Sequence, residues 1–308
     1  MMDQPLPPPR ISSRLEDRLR SKKFAITAEI TPPLSCRPDD VTRKALPLRD
    51  LADAVNVTDG AGARAHMSAT AAAFFLLQSG IEPVLQFTCR DRNRLALQSG
   101  LLGAAAVGIH NVLLLGGDDP SAGDQPETKA VFDLDSRRLI ETARIMRDRR
   151  ELPNGKPIAG EPRFFIGAAD MPIDPPPEWR PDGLRAKIAA GAQFVQTQFC
   201  MDGDIVRRYV GRLHDAGVTE EIFVLIGISP LRSARSARWM RQHLFGTIIP
   251  DAMVVRMEGA ADPEQEGRRI CVELLQELSR IPGVAGAHIM APGNDAAVPD
   301  VIAAFRKE

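Results

Sequence analysis

The chain has 308 residues, and its 39 lysines and arginines nearly cancel its 40 aspartates and glutamates. The length allows one barrel-sized domain or two ordinary ones. The balanced charge gives no electrostatic reason to expect a nucleic-acid partner, and no apolar stretch approaches the roughly 18 residues that cross a bilayer. The four cysteines are far apart and form no metal-ligand spacing, so we expect no metal and a soluble, cytoplasmic protein.

The first 22 residues are predicted to precede the main domain. Residues 1–10, MMDQPLPPPR, are too polar and proline-rich for a secretory signal, and we interpret them as a flexible lead. Ser13 to Glu16 then resemble a capping box that opens a short helix with Leu15 and Leu19 on one face. We therefore predict a lead and a short helix over 1–22, and one catalytic domain over 23–308.

From residue 24 the pattern alternates between strand and helix without a break. Helices are predicted between the strands, for example at 66–79, 92–107, 134–150, 202–217 and 262–280. The predicted strands are 24–30, 53–58, 82–88, 111–115, 163–168, 193–199, 221–227 and 284–290. Eight strands that each lead into a helix, within about 290 residues, indicate an α/β fold of the (β/α)8 TIM-barrel type. A doubly wound sheet is disfavoured because Gly60 to Arg64 lack the third glycine of a dinucleotide fingerprint.

The fourth predicted strand ends in Gly116-Gly117-Asp118-Asp119-Pro120, which is open to two interpretations. Glycines let a backbone approach a ligand closely, and an aspartate at the carboxyl end of a parallel strand supplies fixed negative charge there. Gly-Asp-Asp-Pro is also ordinary turn chemistry. The residue types alone leave both interpretations open.

Polar residues near the carboxyl ends of several other strands favour the ligand site over the ordinary turn. Period-two alternation turns Thr27 and Glu29 inward, and it sets Asn56 and Gln196 on the polar faces of their strands. Polar groups in a barrel lumen cost stability unless they are satisfied, so their convergence favours a ligand site. The residues at this predicted rim are Glu29, Thr58, Gln86, Asp118 and Gln198.

Glu29 and Lys187 each have a functional and a structural interpretation. Glu29 follows small and apolar residues and precedes the rigid exit Thr31-Pro32-Pro33, surroundings in which a carboxyl can serve as a general acid. The alternative is a glutamate that points into water. Lys187 lies at the end of a predicted helix, where the helix dipole alone favours a lysine.

The order and spacing of several segments resemble the methylenetetrahydrofolate reductases, a family of flavin-dependent (β/α)8 barrels. The resemblance runs from about Phe24 to Asn294. It rests on the segments 28–33 (AEITPP), 56–59 (NVTD), 86–91 (QFTCRD), 101–120 (LLGAAAVGIHNVLLLGGDDP), 123–135 (GDQPETKAVFDLD), 186–199 (AKIAAGAQFVQTQF) and 288–292 (HIMAP).

The resemblance implies an oxidoreductase that interconverts 5,10-methylenetetrahydrofolate and 5-methyltetrahydrofolate in one-carbon metabolism and methionine biosynthesis. Hydride would pass from NADH or NADPH through flavin N5 in a ping-pong reaction. Glu29 matches the general acid, and Asp118 matches a catalytic aspartate beside flavin and pterin. Gln198 matches a substrate-binding glutamine, so the folate-binding residues are Glu29, Asp118 and Gln198. The residues implied for the flavin are Thr58, Gln86, Leu115, Gly116, Gly117, Asp118, Asp133, Ala168 and Lys187.

The expected cofactor is FAD. FMN is the alternative, because several positions depart from the family pattern. Gln86 stands where many bacterial members have histidine, and Gly116 replaces a common arginine. The resemblance also implies a homo-oligomer, and an electron-transfer partner subunit, as in acetogens, is the alternative to NADH or NADPH as the electron donor. Two other functions remain open: a pterin-binding methyltransferase barrel without flavin, and a non-catalytic folate- or flavin-binding subunit.

Overall fold

A computed structural model describes residues 11–307 of the chain. The predicted lead at 1–10 lies outside the described residues. Within them, eight parallel strands pair in sequence order and close into a barrel, where β8 pairs with β1 and Thr27 lies opposite His288. The strands are β1 (Ala25–Ile30), β2 (Ala54–Val57), β3 (Pro83–Thr88), β4 (Asn111–Leu115), β5 (Phe165–Asp170), β6 (Phe194–Phe199), β7 (Phe223–Ile228) and β8 (Val284–Ile289). The predicted (β/α)8 barrel is confirmed.

Helices separate the strands and form the outer layer. Each of the five predicted helices is present with shorter ends, because the flanking residues serve as caps; Asn93, for example, accepts a hydrogen bond from the N–H of Ala96 in the first turn of its helix. Helices that the sequence analysis did not give also follow β1, β7 and β8. The helices are α1 (Arg14–Arg20), α2 (Pro38–Ala45), α3 (Ala69–Gln78), α4 (Arg94–Ala106), α5 (Ser136–Arg149), α6 (Asp182–Ala190), α7 (Gly203–Asp215), α8 (Ala234–His243), α9 (Asp251–Glu258), α10 (Pro263–Leu278) and α11 (Ala297–Lys307).

The barrel has two apolar layers, as the alternation along β1 predicted. Ile26, Ala28 and Ile30 pack outward with the helices in the larger core. The lumen near the amino ends of the strands holds a second core, in which the rings of Phe165 and Phe194 stack with centroids 4.9 Å apart. Its buried members are Leu15, Leu19, Ala25, Ala54, Val84, Leu113, Phe165, Phe194 and Leu225.

Helix α1 closes the amino end of the barrel. Its Leu15 and Leu19 are buried in the lumen core, so the predicted apolar face is confirmed. The predicted capping box forms in part. Ser13 accepts from the N–H of Glu16, but the Glu16 carboxylate reaches the N–H of Ser12 rather than that of Ser13. The helix is fastened to the strands by Glu82, which accepts from the backbone N–H groups of Arg14 and Leu15.

Among residues 11–307, no helix combines the length and the apolar character that a membrane span requires.

Candidate active site

A cavity of about 390 Å³ opens at the carboxyl ends of the strands. It includes five of the residues predicted for the site, and these come from four different strands and helix α6. Another concavity, about 770 Å³ between α10 and α11, lies in the outer helix layer away from the strand ends. The smaller cavity is lined by Glu29, Gln86, Leu113, Leu115, Ala169, Asp170, Met171, Lys187, Gln196, Thr197, Gln198, His288 and Met290.

Glu29 turns into the lumen near the end of β1, and its side chain is 21% exposed. Its Oε2 atom accepts a hydrogen bond of 2.7 Å from Nε2 of Gln86 on β3. Nε2 of His288 on β8 lies 3.5 Å from the same oxygen. Two nitrogen groups therefore face Oε2, whereas no protein hydrogen bond engages Oε1 among the described residues. This arrangement leaves one carboxyl oxygen for a ligand in the cavity.

A buried polar network extends below Glu29. His288 Nδ1 lies 2.9 Å from the Thr27 hydroxyl, and Gln196 donates to that hydroxyl and to Asn56. Alternation placed Thr27 inward and Asn56 and Gln196 on polar strand faces, but it did not make them site residues, and His288 was missed. Since β8 closes onto β1, only the barrel topology brings His288 beside Glu29.

Asp118 lies in the loop after β4 and does not line the cavity with Glu29. Its side chain is exposed, and Oδ2 accepts a hydrogen bond of 2.9 Å from the backbone N–H of Gly62. The contact joins the loop after β4 to the loop after β2. Asp118 therefore stands on the rim, with its charge fixed by a backbone donor.

The glycines before Asp118 have different surroundings. Gly117 has a φ of +99°, and a Cβ there would lie 2.8 Å from Cβ of Arg90, so the chain path requires glycine. A Cβ at Gly116 would meet no protein atom within 4 Å. Gly116 therefore leaves open space beside the end of β4.

Arg90 ties together the loops that carry this rim. Its buried guanidinium donates to the carbonyl of Gly60 and forms two hydrogen bonds with Asp91. Its backbone N–H bonds the carbonyl of Gly116, and its carbonyl accepts from the N–H of Val131. The hydrogen bonds with Asp91 raise the pKa of Arg90 and lower that of Asp91. The sequence analysis had placed Arg90 only within a family segment.

Lys187 and Asp170 form a polar wall on the β5 side of the cavity. Lys187 lies in the last turn of α6, and its Nζ donates to the carbonyl of Ala169 at 2.5 Å. Nζ is 3.9 Å from Oδ1 of Asp170, whose Oδ2 accepts from the Tyr209 hydroxyl at 2.6 Å. Burial, with the Asp170 carboxylate, raises the pKa of Tyr209 well above its usual range. The phenol therefore stays protonated as a donor.

Six of the nine residues implied for the flavin lie outside the cavity lining: Gly116, Gly117 and Asp118 in the loop after β4, and Thr58, Asp133 and Ala168. Thr58 is 4% exposed, and its Oγ1 has no hydrogen-bond partner. Asp133 pairs with Arg94 near the start of α4, and their hydrogen bonds lower the pKa of the Asp133 carboxyl. The Ala168 side chain is buried in the outer core, because alternation along β5 turns Ile166 and Ala168 outward and Ala169 to the cavity.

Gln198 lines the cavity with an oriented amide. Its Nε2 donates to the carbonyl of Phe245 at 3.1 Å, and its Oε1 accepts from the N–H of Phe199 at 3.0 Å. A primary amide has two protons and two lone pairs, so each end retains one site for a ligand. Among the described residues, no three His, Cys, Asp or Glu side chains form a group that could hold a metal ion.

A closed parallel barrel whose carboxyl rim holds a cavity lined in part by charged and amide side chains is the arrangement found in TIM-barrel enzymes. The model of the methylenetetrahydrofolate reductase family matches residues 14–305. The chain therefore belongs to the methylenetetrahydrofolate reductase family.

Relatives from two eukaryotes match most of this chain. A probable methylenetetrahydrofolate reductase (NADPH) from Caenorhabditis elegans is 25% identical over 243 residues, which are 76% of this chain and 34% of the worm protein. Methylenetetrahydrofolate reductase 2 from Schizosaccharomyces pombe is 26% identical over 258 residues, or 80% of this chain and 37% of the yeast protein. The chain thus spans well under half the length of these relatives.

A solved structure shares the fold at low sequence identity. It is an uncharacterized protein from Clostridium thermocellum that binds two copies of 5-methyl-5,6,7,8-tetrahydrofolic acid. Its TM-score is 0.62 at 12% identity, with 95% of this chain and 98% of the other chain covered. At this identity the likeness concerns the fold.

Proposed function

We propose that the protein is a flavin-dependent methylenetetrahydrofolate reductase that interconverts 5,10-methylenetetrahydrofolate and 5-methyltetrahydrofolate, with NADH or NADPH as the electron donor. Family membership supports the reaction class. The observation that carries the proposal is Glu29, whose carboxyl lines the cavity with Oε2 facing two nitrogen groups and Oε1 free of protein hydrogen bonds. A positioned carboxyl of this kind is what proton transfer to a bound substrate requires.

The rim of the cavity fits a flavin. Thr58 offers a buried hydroxyl without a protein partner, and the position of Gly116 opens onto empty space. Leu115 gives an apolar surface for a planar ring, and the Lys187 ammonium gives a charge suited to a phosphate. When bound, the flavin supplies the hydride-transfer chemistry. We propose FAD, with FMN as the alternative, and no metal.

In this proposal Glu29 gives a proton to the folate, so that the five-membered ring of methylenetetrahydrofolate opens to an iminium cation. The remaining donor and acceptor of Gln198 orient the pterin. Asp118 places a negative charge at the rim, where it stabilises developing positive charge on the substrate. The Gly62 N–H holds that carboxylate in place, and Arg90 holds the loops on either side.

We further propose a cytoplasmic homo-oligomer. In this proposal the electron donor is a nicotinamide or, alternatively, an electron-transfer subunit. The folate chemistry at Glu29 is the same with either donor.

The first test is an absorbance spectrum of the purified protein, repeated after anaerobic addition of NADH and then of methylenetetrahydrofolate. We expect flavin bands that bleach with NADH and return with the folate. Flavin that ignores NADH and NADPH but is reduced by 5-methyltetrahydrofolate would assign the donor role to a partner subunit. A protein that stays colourless after incubation with FAD and FMN would contradict the proposal, and would favour the methyltransferase or binding-subunit alternatives.

A further inference from the structure

Two buried amides end the polar network that starts at Glu29. Nδ2 of Asn56 donates to Oε1 of Gln196 at 2.6 Å, and Nε2 of Gln196 donates back to Oδ1 of Asn56 at 3.0 Å. Each side chain therefore orients the other. The second proton of Gln196 Nε2 points to the Thr27 hydroxyl, at 2.9 Å. Because an amide nitrogen only donates, Thr27 Oγ1 is the acceptor in this bond.

The Thr27 hydroxyl keeps one proton to donate, and two acceptors lie near it. Nδ1 of His288 is at 2.9 Å, whereas the carbonyl of Ala287 is at 3.4 Å. The shorter distance is that of a good hydrogen bond, and the longer one is at the limit. A ring nitrogen that accepts carries no proton. A neutral His288 then has its proton on Nε2, which lies 3.5 Å from Oε2 of Glu29.

We propose that Gln196, held by Asn56, is a positioning residue that fixes His288 as the Nε2–H tautomer. The direction of donation then runs from the amide pair through Thr27 and His288 to Glu29. The N–H groups of Gln86 and His288 both face Oε2, so Oε1 is the oxygen that delivers the proton to the folate. This last consequence rests on the proposed function, whereas the tautomer of His288 does not.

Nitrogen-15 NMR of protein labelled at its five histidines tests the tautomer directly. His288→Asn identifies the His288 signals by their loss. We expect a protonated Nε2 and an unprotonated Nδ1 in the wild-type protein. In Asn56→Leu/Gln196→Met, which removes both amides and leaves neither unpaired, both signals should shift toward the average of the two tautomers. A wild-type protein with the proton on Nδ1, or a double variant with unchanged signals, would overturn the inference.

Kinetics then test the effect on Glu29. In the double variant the rate of the folate half-reaction should fall about tenfold relative to the NADH half-reaction, a part of the 10²- to 10⁴-fold effect of a general acid. Gln193→Met is the control, since Gln193 is an amide immediately before β6, away from the cavity, that accepts from the N–H of Ile166 and from Arg147. Its ratio of rates should stay at the wild-type value.

The outcomes separate the two proposals. An unchanged ratio of rates in the double variant, with the tautomer as expected, would refute the positioning role of Gln196. A wild-type protein that holds flavin but does not turn over folate would refute the proposed function, and the NMR result would still decide the tautomer.

Discussion

Nε2 of Gln86 donates a 2.7 Å hydrogen bond to Oε2 of Glu29, across two strands that are not neighbours in the barrel. The bond holds the carboxyl over the cavity rather than letting it extend into solvent. A glutamine in this place can donate to the carboxylate without carrying charge. The contact makes Gln86 part of the Glu29 site, whichever cofactor occupies the rim.

Gln86→Leu should slow folate-linked turnover about 10- to 150-fold, because a hydrogen bond to a charged group contributes about 1.5–3 kcal/mol. Flavin content is measured in the same preparation, since the family resemblance also implies a contact between Gln86 and the flavin. The measurement is the rate of flavin reoxidation by methylenetetrahydrofolate in a stopped-flow instrument. Gln78→Leu, which makes the same change at an exposed position on α3, is the control. Equal rates in the two variants would show that the bond to Glu29 is not used.

Glu29→Gln should keep the binding of flavin and folate and lose about 10²- to 10⁴-fold in folate-linked turnover, because an amide cannot deliver the proton. Binding is measured by the shift of the flavin spectrum on addition of 5-methyltetrahydrofolate, and turnover by reoxidation. Glu141→Gln, on the outside of the barrel, controls for the substitution itself. Unchanged turnover in Glu29→Gln would remove Glu29 from the mechanism.

Gly117→Ala should disturb the rim, since φ is +99° and the new Cβ would stand 2.8 Å from Cβ of Arg90. We expect a loss of about 1–3 kcal/mol in the free energy of unfolding and weaker flavin binding. Gly155→Ala is a matched control, because Gly155 has a φ of +81° with no atom near its Cβ position. Urea titration and flavin titration measure the two effects. Equal losses of stability in the two variants, with flavin affinity unchanged in both, would show that the contact between the new Cβ and Arg90 has no effect.

Leu15→Ala should destabilise the protein by about 2–5 kcal/mol, the usual range for a large-to-small change in a packed core. The side chain is fully buried in the lumen core, at the end of the barrel opposite the cavity. Turnover at a temperature where the variant is folded should therefore match that of the wild type. Leu95→Ala, at a leucine that is 72% exposed, should change stability little. Thermal unfolding and steady-state kinetics give the two readouts.

The Arg90–Asp91 pair should make stability depend on pH in the acid range. Hydrogen bonds from Arg90 lower the pKa of the Asp91 carboxyl in the folded state, so the pair stabilises the protein above the ordinary aspartate pKa of about 4. That contribution is lost as pH falls through the lowered pKa. The stability difference between wild type and Asp91→Asn should therefore shrink between about pH 5 and pH 2. Urea titrations of both proteins across that pH range measure the difference, and a difference that stays constant with pH would contradict the prediction.

The barrel could be predicted because eight strands, each followed by a helix, are visible as local patterns in the sequence. Alternation along each strand reflects a second local constraint, namely that one face meets the lumen and the other meets the helices. The same alternation turned Glu29 inward and set Gln86 and Gln198 on the polar faces of their strands. It could not pair Glu29 with His288, since that contact depends on how the last strand closes onto the first. Nor could it place Asp118, because a loop after a strand end follows no period and its path is set by contacts such as the one with Gly62.

Ala168 shows that a residue implied by a family resemblance need not turn its side chain toward the cavity. The family resemblance implied Ala168 for the flavin, and the strand was predicted to end at that residue. In the structure β5 continues to Asp170, and the residues at the rim are Ala169 and Asp170. Hydrogen bonds to neighbouring strands, which extend along β6 as far as Asp170, set the true end.

Helix α1 lies across the amino end of the barrel, and the cavity opens at the carboxyl end. An attachment made at Ile11, whose side chain is half exposed just before α1, would therefore join the molecule on the face turned away from its opening. The protein could be immobilised on a surface, or fused to another enzyme that produces or consumes its substrate, through that end. Its opening would then face the solution, and a small molecule could enter and leave without meeting the support.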